Sequence, residues 1–96
     1  MHTYSEEDKT LFTFIDETGE QSKLTLDKSV ADALTAIVGD VHAWIQTVYD
    51  GISAGEVQYA KYINHVVKRG GDLTRLAIGN IIRLIAFLTI LNSIDA

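Results

Sequence analysis

The 96-residue sequence contains no cysteine and no proline. Without thiols the chain forms neither a disulfide nor a thiolate metal site, so a domain this small has to draw its stability from its core or from association with other chains. The first residues are acidic and polar, unlike the basic and then apolar start of a signal peptide. These features predict a cytoplasmic protein.

Motifs that carry catalysis or metal binding are also missing from the sequence. No serine lies in a G-x-S-x-G turn, and neither a P-loop nor a G-x-G-x-x-G segment occurs. His2, His42 and His65 are far apart in sequence, and Lys61 and Arg69 flank His65 by one helical turn on each side. Cations at that spacing oppose a metal ion. We therefore predict a protein that is not an enzyme and that binds no metal or cofactor.

Negative charge is concentrated in the first half of the chain. Residues 1–50 contain three lysines against ten acidic residues, a net charge of −7, whereas residues 51–96 contain five cations against three acidic residues, a net charge of +2. This asymmetry indicates either charge complementarity between the two halves or a basic binding face. The second-half cations that we consider for nucleic-acid contact are Lys61, Lys68, Arg69 and Arg75.

Two alternating segments near the N-terminus predict a β-hairpin over about residues 10–27. The first is rich in β-branched and aromatic residues, and Gly19 between the two supplies the positive φ that a short hairpin loop commonly needs. We expect residues 1–9 to form a flexible acidic N-terminus and residues 10–96 to form a single domain.

After Asp27 the apolar residues recur with the period of helices. The pattern predicts about four helices, so the expected fold is α+β and mostly α, with the N-terminal β-hairpin followed by a bundle-like helical cluster. For the first helix, Ser29 with Asp32 resembles a capping box at the start and Gly39 marks the end; for the second, Asp40 marks the start and Gly51 the end. For the third helix, Ser53 with Glu56 forms a capping box at the start and residues 68–71 mark the end. Asp72 marks the start of the fourth.

The fourth predicted helix is too apolar to pack on one side only. Twelve large apolar residues lie between Asp72 and Asp95, whereas one apolar stripe of such a helix holds about eight. About four would face water, and burying each contributes about 1.5–3 kcal/mol. Three arrangements are open: a central helix that is surrounded on all sides, a symmetric oligomer, or a membrane segment.

We favour the oligomer. Arg83 in the middle of the segment, with Asn80 and Asn92 nearby, opposes a membrane span, so we expect no membrane. Gly79 and Ala86 share one face and permit close approach of a second helix. The predicted interface consists of Leu76, Gly79, Ile82, Arg83, Ala86, Phe87 and Ile90.

Residues 23–52 resemble the ribbon-helix-helix family of DNA-binding proteins. The similarity lies in the order of an alternating strand, a helix, a glycine turn at Gly39 and a second helix that contains Trp44-Ile45-Gln46. It implies that the outward strand residues Lys23, Thr25 and Asp27 read DNA bases. The family pairs its strands between subunits, whereas this sequence predicts a hairpin within one chain.

These patterns together predict a small, non-enzymatic regulatory or interaction domain. We expect it to self-associate through its apolar C-terminal helix, as a homodimer or higher oligomer, and to bind an unidentified partner protein. The alternative is a ribbon-helix-helix-like transcriptional regulator that binds DNA.

Overall fold

The structure is a computed structural model that describes residues 9–68, 70 and 74–95. Its described part is α+β and mostly α, a two-stranded antiparallel hairpin followed by four helices, which confirms the predicted fold class. Residues 1–8, on which the predicted flexible N-terminus falls, lie outside the described residues. The elements are β1 (Lys9–Ile15), β2 (Gln21–Asp27), α1 (Lys28–Val38), α2 (Val41–Ser53), a 3-10 turn (Val57–Tyr59), α3 (Ala60–Lys68) and α4 (Arg75–Asp95).

The hairpin presents one apolar face to the helices. Its register runs from the pair Lys9–Asp27 to the pair Ile15–Gln21, so alternate residues point to the same side. On the inner side Phe14 and Leu24 are buried, as are helix residues from α1, α2 and α4. The buried apolar cluster consists of Phe14, Leu24, Leu26, Ala31, Leu34, Val41, Ile45, Val48, Tyr49, Ile52, Ile78, Ile81, Ile82 and Ala86.

Side chains from two helices occupy the outer edges of the hairpin. The Gln46 amide of α2 donates to the Ile15 carbonyl oxygen (2.9 Å) and accepts from the Ile15 N–H (2.7 Å). On the other edge the Arg83 guanidinium of α4 donates from Nε to the Thr25 carbonyl oxygen (3.0 Å). These contacts satisfy backbone groups that an open strand edge offers to other chains. The Arg83 contact also fixes which side of α4 faces β2.

Tyr49 of α2 joins the hairpin to the helices. Its ring lies 4.6 Å from that of Phe14, centroid to centroid, and its hydroxyl donates to the Glu17 carboxylate in the hairpin turn. Burial, together with the neighbouring Glu17 carboxylate, raises the pKa of the Tyr49 phenol above its usual value. The phenol therefore remains a hydrogen-bond donor at neutral pH.

The junction of α1 and α2 is as predicted. Gly39, with φ of 82°, ends α1, and its N–H donates to the Thr35 carbonyl oxygen (2.9 Å). Asp40 is the N-cap of α2, where its Oδ1 accepts from the Ala43 N–H (3.0 Å).

The predicted start of α1 was wrong. The helix begins at Lys28, directly after β2, so Ser29 lies inside it and cannot open a capping box with Asp32. Asp27 stands at the N-cap position but makes no side-chain capping bond. Its carboxylate instead pairs with the Lys9 ammonium across the hairpin.

The predicted start of the third helix was wrong as well. The second helix continues past Gly51 to Ser53, which removes Ser53 from a capping box with Glu56. The chain then turns at Gly55, where φ is 72°. Asp72, the predicted cap of the fourth helix, lies outside the described residues, but the Thr74 hydroxyl accepts from the Ala77 N–H (3.2 Å) in the first turn of α4.

Two helical glycines should respond in opposite ways to substitution by alanine. A Cβ at Gly51 would overlap the Tyr59 ring and lie 2.8 Å from Glu56 Oε1, whereas a Cβ at Gly79 would lie 3.5 Å from Leu24 Cδ1, an ordinary contact. We expect Gly51→Ala to lower the free energy of unfolding by about 1–3 kcal/mol. Gly79→Ala should raise it by about 0.5–1 kcal/mol because alanine favours the helix. Urea denaturation of both variants checks this, and stabilisation by both would contradict the close packing at Gly51.

The hairpin turn is organised by the buried carboxylate of Asp16. Its Oδ1 accepts from the Thr18 hydroxyl (2.5 Å), the Thr18 N–H (2.9 Å) and the Glu20 N–H (3.1 Å), and its Oδ2 accepts from the Ser22 hydroxyl (3.1 Å). Hydrogen bonds to the charged form, that from the Thr18 hydroxyl first, outweigh the opposing effect of burial. They lower the pKa of Asp16 from 3.8 to about 2.

This shift predicts a pH dependence of stability. Because the pKa of Asp16 is lower in the folded than in the unfolded chain, ionised Asp16 stabilises the fold above about pH 4, and that stabilisation is lost as the pH falls towards 2. Asp16→Asn should therefore have a lower Tm than the wild type at pH 7. The difference should shrink between about pH 4 and pH 2. Thermal unfolding of both proteins across this range checks the prediction, and a difference that stays constant would contradict it.

Candidate interaction surface

Helix α4 is apolar on two opposite faces. Its buried residues Ile78, Gly79, Ile81, Ile82 and Ala86 lie within about 160° of one another around the helix axis, at 100° per residue. Nearly opposite to them lie four exposed side chains, which we call the outer stripe. Its members, with their exposed fractions, are Leu84 (47%), Phe87 (53%), Leu91 (40%) and Ile94 (73%).

The outer stripe has the spacing of a helix–helix interface. Successive members are separated by three, four and three residues, which is the repeat that keeps apolar side chains aligned along a partner helix. Continued towards the N-terminus, the same repeat reaches Asn80, which is exposed and accepts from Arg83 Nη1 (3.0 Å). The stripe therefore has the form of one side of a paired-helix contact.

The residues predicted for the oligomer interface lie partly on the buried face of α4 and partly on its exposed face. Gly79, Ile82 and Ala86 are buried against the chain's own core, so they cannot also contact a second chain. Phe87 is exposed and belongs to the outer stripe, while Arg83 is exposed and bonded to β2. Ile90 is half-buried, and the side chain of Leu76 lies outside the described part. The expectation of about four uncovered residues agrees with the stripe, but three of the positions chosen for the interface belong to the core.

A groove opens between α3 and α4 at the N-terminal end of the stripe. Its volume is about 530 Å³. Leu84 lines the groove as well as the stripe, so the two surfaces are continuous. The lining residues are Lys61, Tyr62, His65 and Val66 from α3, and Ala77, Asn80, Ile81 and Leu84 from α4.

Helix α3 covers the core only partly. It has no fully buried residue, although Tyr62, Ile63 and Val66 pack against the buried cluster from its apolar side. Lys61 Nζ lies 5.1 Å from the centroid of the Tyr62 ring, within range of a cation–π contact. The groove thus has an apolar floor with Lys61 and His65 among its lining.

The residues predicted for nucleic-acid contact lie on different elements. Lys23 is exposed on the outer side of β2, and Thr25 on the same side is engaged by Arg83. Lys61 lines the groove and Lys68 is exposed at the end of α3. Arg69 and the side chain of Arg75 lie outside the described part. A second pocket of about 310 Å³ adjoins the hairpin and is lined by Lys9, Thr25, Leu26, Asp27, Val30, Arg83 and Phe87.

The described histidines have separate surroundings. His42 Nε2 lies 3.2 Å from Thr13 Oγ1, and His65 lines the groove. Within the described ranges, no three or more histidine or carboxylate side chains are placed where they could hold a metal ion. His2 lies outside these ranges.

The segment Ala77–Ile94 is long and apolar enough to span a membrane by length and composition, with a mean hydropathy of 1.7. The core helix of a globular domain passes the same criteria. Here Ile78, Ile82 and Ala86 are buried in the chain's own core, and Arg83 lies in the middle of the segment. Only 28% of the segment is buried inside the structure, so one face of the helix belongs to the core and the rest is not covered by the described residues.

Comparisons with protein-family models, with curated proteins and with solved structures found no match to this chain.

Proposed function

We propose that the protein is a small, non-enzymatic interaction domain of the cytoplasm that self-associates through the outer stripe of α4 and regulates or scaffolds a partner macromolecule. The observation that carries this proposal is the stripe itself, four exposed apolar side chains in the spacing of paired helices on a helix whose other face is core. Contiguous exposed apolar surface on a small domain marks an interaction site more often than chance.

The free energy available from the stripe is of the right size for reversible association. Four side chains that are each about half exposed contribute about 3–6 kcal/mol per chain when covered. A symmetric pair therefore gains about 6–12 kcal/mol, against about 4–15 kcal/mol for the lost freedom of two bodies. The stripe alone supports only a weak dimer, so an interface with a micromolar Kd needs further contacts beside it.

A partner macromolecule needs a surface that self-association leaves open. The outer side of the hairpin offers one, because Leu11 and Ile15 are 56% and 48% exposed there. These two side chains lie on the sheet face that points away from the buried cluster. Binding of a partner on this side is compatible with pairing through α4.

The self-association is tested by sedimentation equilibrium of the wild type over a dilution series from about 1 to 300 μM, the range in which micromolar dimers dissociate. We expect the mean mass to rise from that of one chain towards that of two or more. A mass of one chain at every concentration would contradict the proposal.

The alternative proposal, DNA binding of the ribbon-helix-helix type, is supported by the outward position of Lys23, Thr25 and Asp27 on β2. In this chain, however, β2 pairs with β1, and Asp27 pairs with Lys9. A DNA mobility shift that weakens with salt and is lost in Lys23→Ala would favour this alternative over an interaction domain.

A further inference from the structure

The two ends of the outer face of α4 have complementary shapes. Its N-terminal half borders the groove that α3 forms, with Ala77, Asn80 and Leu84 on the α4 side. Its C-terminal half carries the exposed side chains of Leu91 and Ile94. One end of the same helix thus offers a recess and the other end offers apolar side chains that are not covered.

We propose, building on the self-association above, that the groove receives the C-terminal end of α4 from a second copy of this chain, in an antiparallel pair of helices. A two-fold axis placed midway between Leu84 and Phe87 brings every member of the repeat opposite another member. Leu84 then lies opposite the partner's Phe87, and Asn80 lies opposite the partner's Leu91. Ala77 lies opposite the partner's Ile94, a small residue facing a large one.

Self-complementarity selects a second copy over an unrelated helix. In a two-fold arrangement the C-terminal end of α4 from each chain lies in the groove of the other chain. The same contact between helix end and groove therefore forms twice. Tyr62 and Val66 line the groove, so an inserted helix end would add apolar contacts to those of the stripe. A parallel pair would align the two stripes but leave both grooves without an occupant.

Charge also favours the antiparallel direction. The C-terminal end of a helix carries a partial negative charge, and the last turn of α4 contains no basic residue to offset it. The groove that would receive this end is lined by the cation Lys61. A parallel pair would instead place two negative helix ends side by side.

The absence of native cysteine allows a direct test by cross-linking. We would prepare Asn80→Cys, and Leu91→Cys with a short N-terminal tag, and oxidise each variant alone and in an equimolar mixture. The antiparallel pair predicts a disulfide between the two different variants, and little cross-linking of either variant alone.

Each other outcome has a defined meaning. Efficient cross-linking of each variant with itself would show a parallel pair and overturn the inference. Absence of any cross-link, with a wild type that associates in sedimentation, would also overturn it and leave the self-association intact. A wild type that stays monomeric at every concentration would overturn both proposals. In that case the groove would be open to a helix of another protein.

A charge reversal tests the electrostatic contribution. Lys61→Glu should raise the Kd of self-association by about 3- to 20-fold, because a surface contact of modest strength is lost at both ends of a two-fold pair. Lys23→Glu makes the same charge change on the hairpin and is the matched control. An equal effect of the two variants would contradict a specific role of Lys61 in the groove.

Discussion

Ile82→Ala is expected to lower the free energy of unfolding by about 2–5 kcal/mol, the usual effect of truncating a fully buried isoleucine. Ile82 has no exposed surface and lies in the face of α4 that packs against α1 and α2, so its loss leaves a cavity among these three helices. Domains of this size are stable by only about 5–15 kcal/mol. The variant should therefore approach the limit of folding.

Ile94→Ala is the matched control for this variant. It makes the same chemical change on the same helix, but at a side chain that is 73% exposed. In urea denaturation at a concentration where the chain is monomeric, Ile94→Ala should change stability by less than about 1 kcal/mol. Equal losses for the two variants would contradict the division of α4 into a core face and an outer stripe.

Phe87→Glu is expected to abolish self-association while the domain stays folded. Phe87 lies in the middle of the stripe and occurs twice in a symmetric pair, so the substitution removes two apolar contacts and introduces two charges at the interface. We expect the Kd to rise by at least about 100-fold, which corresponds to about 2.7 kcal/mol. The circular dichroism spectrum and the Tm of a dilute sample should match those of the wild type.

Val57→Glu controls for the general effect of a new surface charge. Val57 is 86% exposed on the 3-10 turn, outside the stripe, so its replacement should leave the Kd unchanged. Loss of association in both variants would indicate a nonspecific response to charge. Retention of association by Phe87→Glu would place the interface elsewhere.

Local features of the sequence were sufficient for much of the fold. The alternating segments around Gly19 predicted the hairpin, and the junction at Gly39 and Asp40 was predicted correctly, because a positive φ and a capping carboxylate act within a few residues. The predicted capping boxes failed because α1 begins at Lys28, before Ser29, and α2 continues to Ser53. The Asp27 carboxylate pairs with Lys9, which is 18 residues away, and no local pattern indicates that contact.

The number of exposed apolar residues on α4 was predictable from the sequence, but their positions were not. In an amphipathic helix the polar side of the sequence pattern indicates that the opposite side is buried. Because α4 is apolar almost all round, its sequence does not indicate which side is buried. The contacts of Arg83 with Thr25 and the burial of Ile82 decide which face meets the hairpin. The α3–α4 groove could not be foreseen, because it depends on how two separate helices are placed.

The most direct test of self-association through the outer stripe is a dilution series of the wild type followed by methyl NMR. We expect the signals of Leu84, Leu91 and Ile94 to change most with concentration, while those of Ile78 and Ile82 in the core change least. Spectra that do not depend on concentration, or changes confined to the hairpin residues Leu11 and Ile15, would contradict the account.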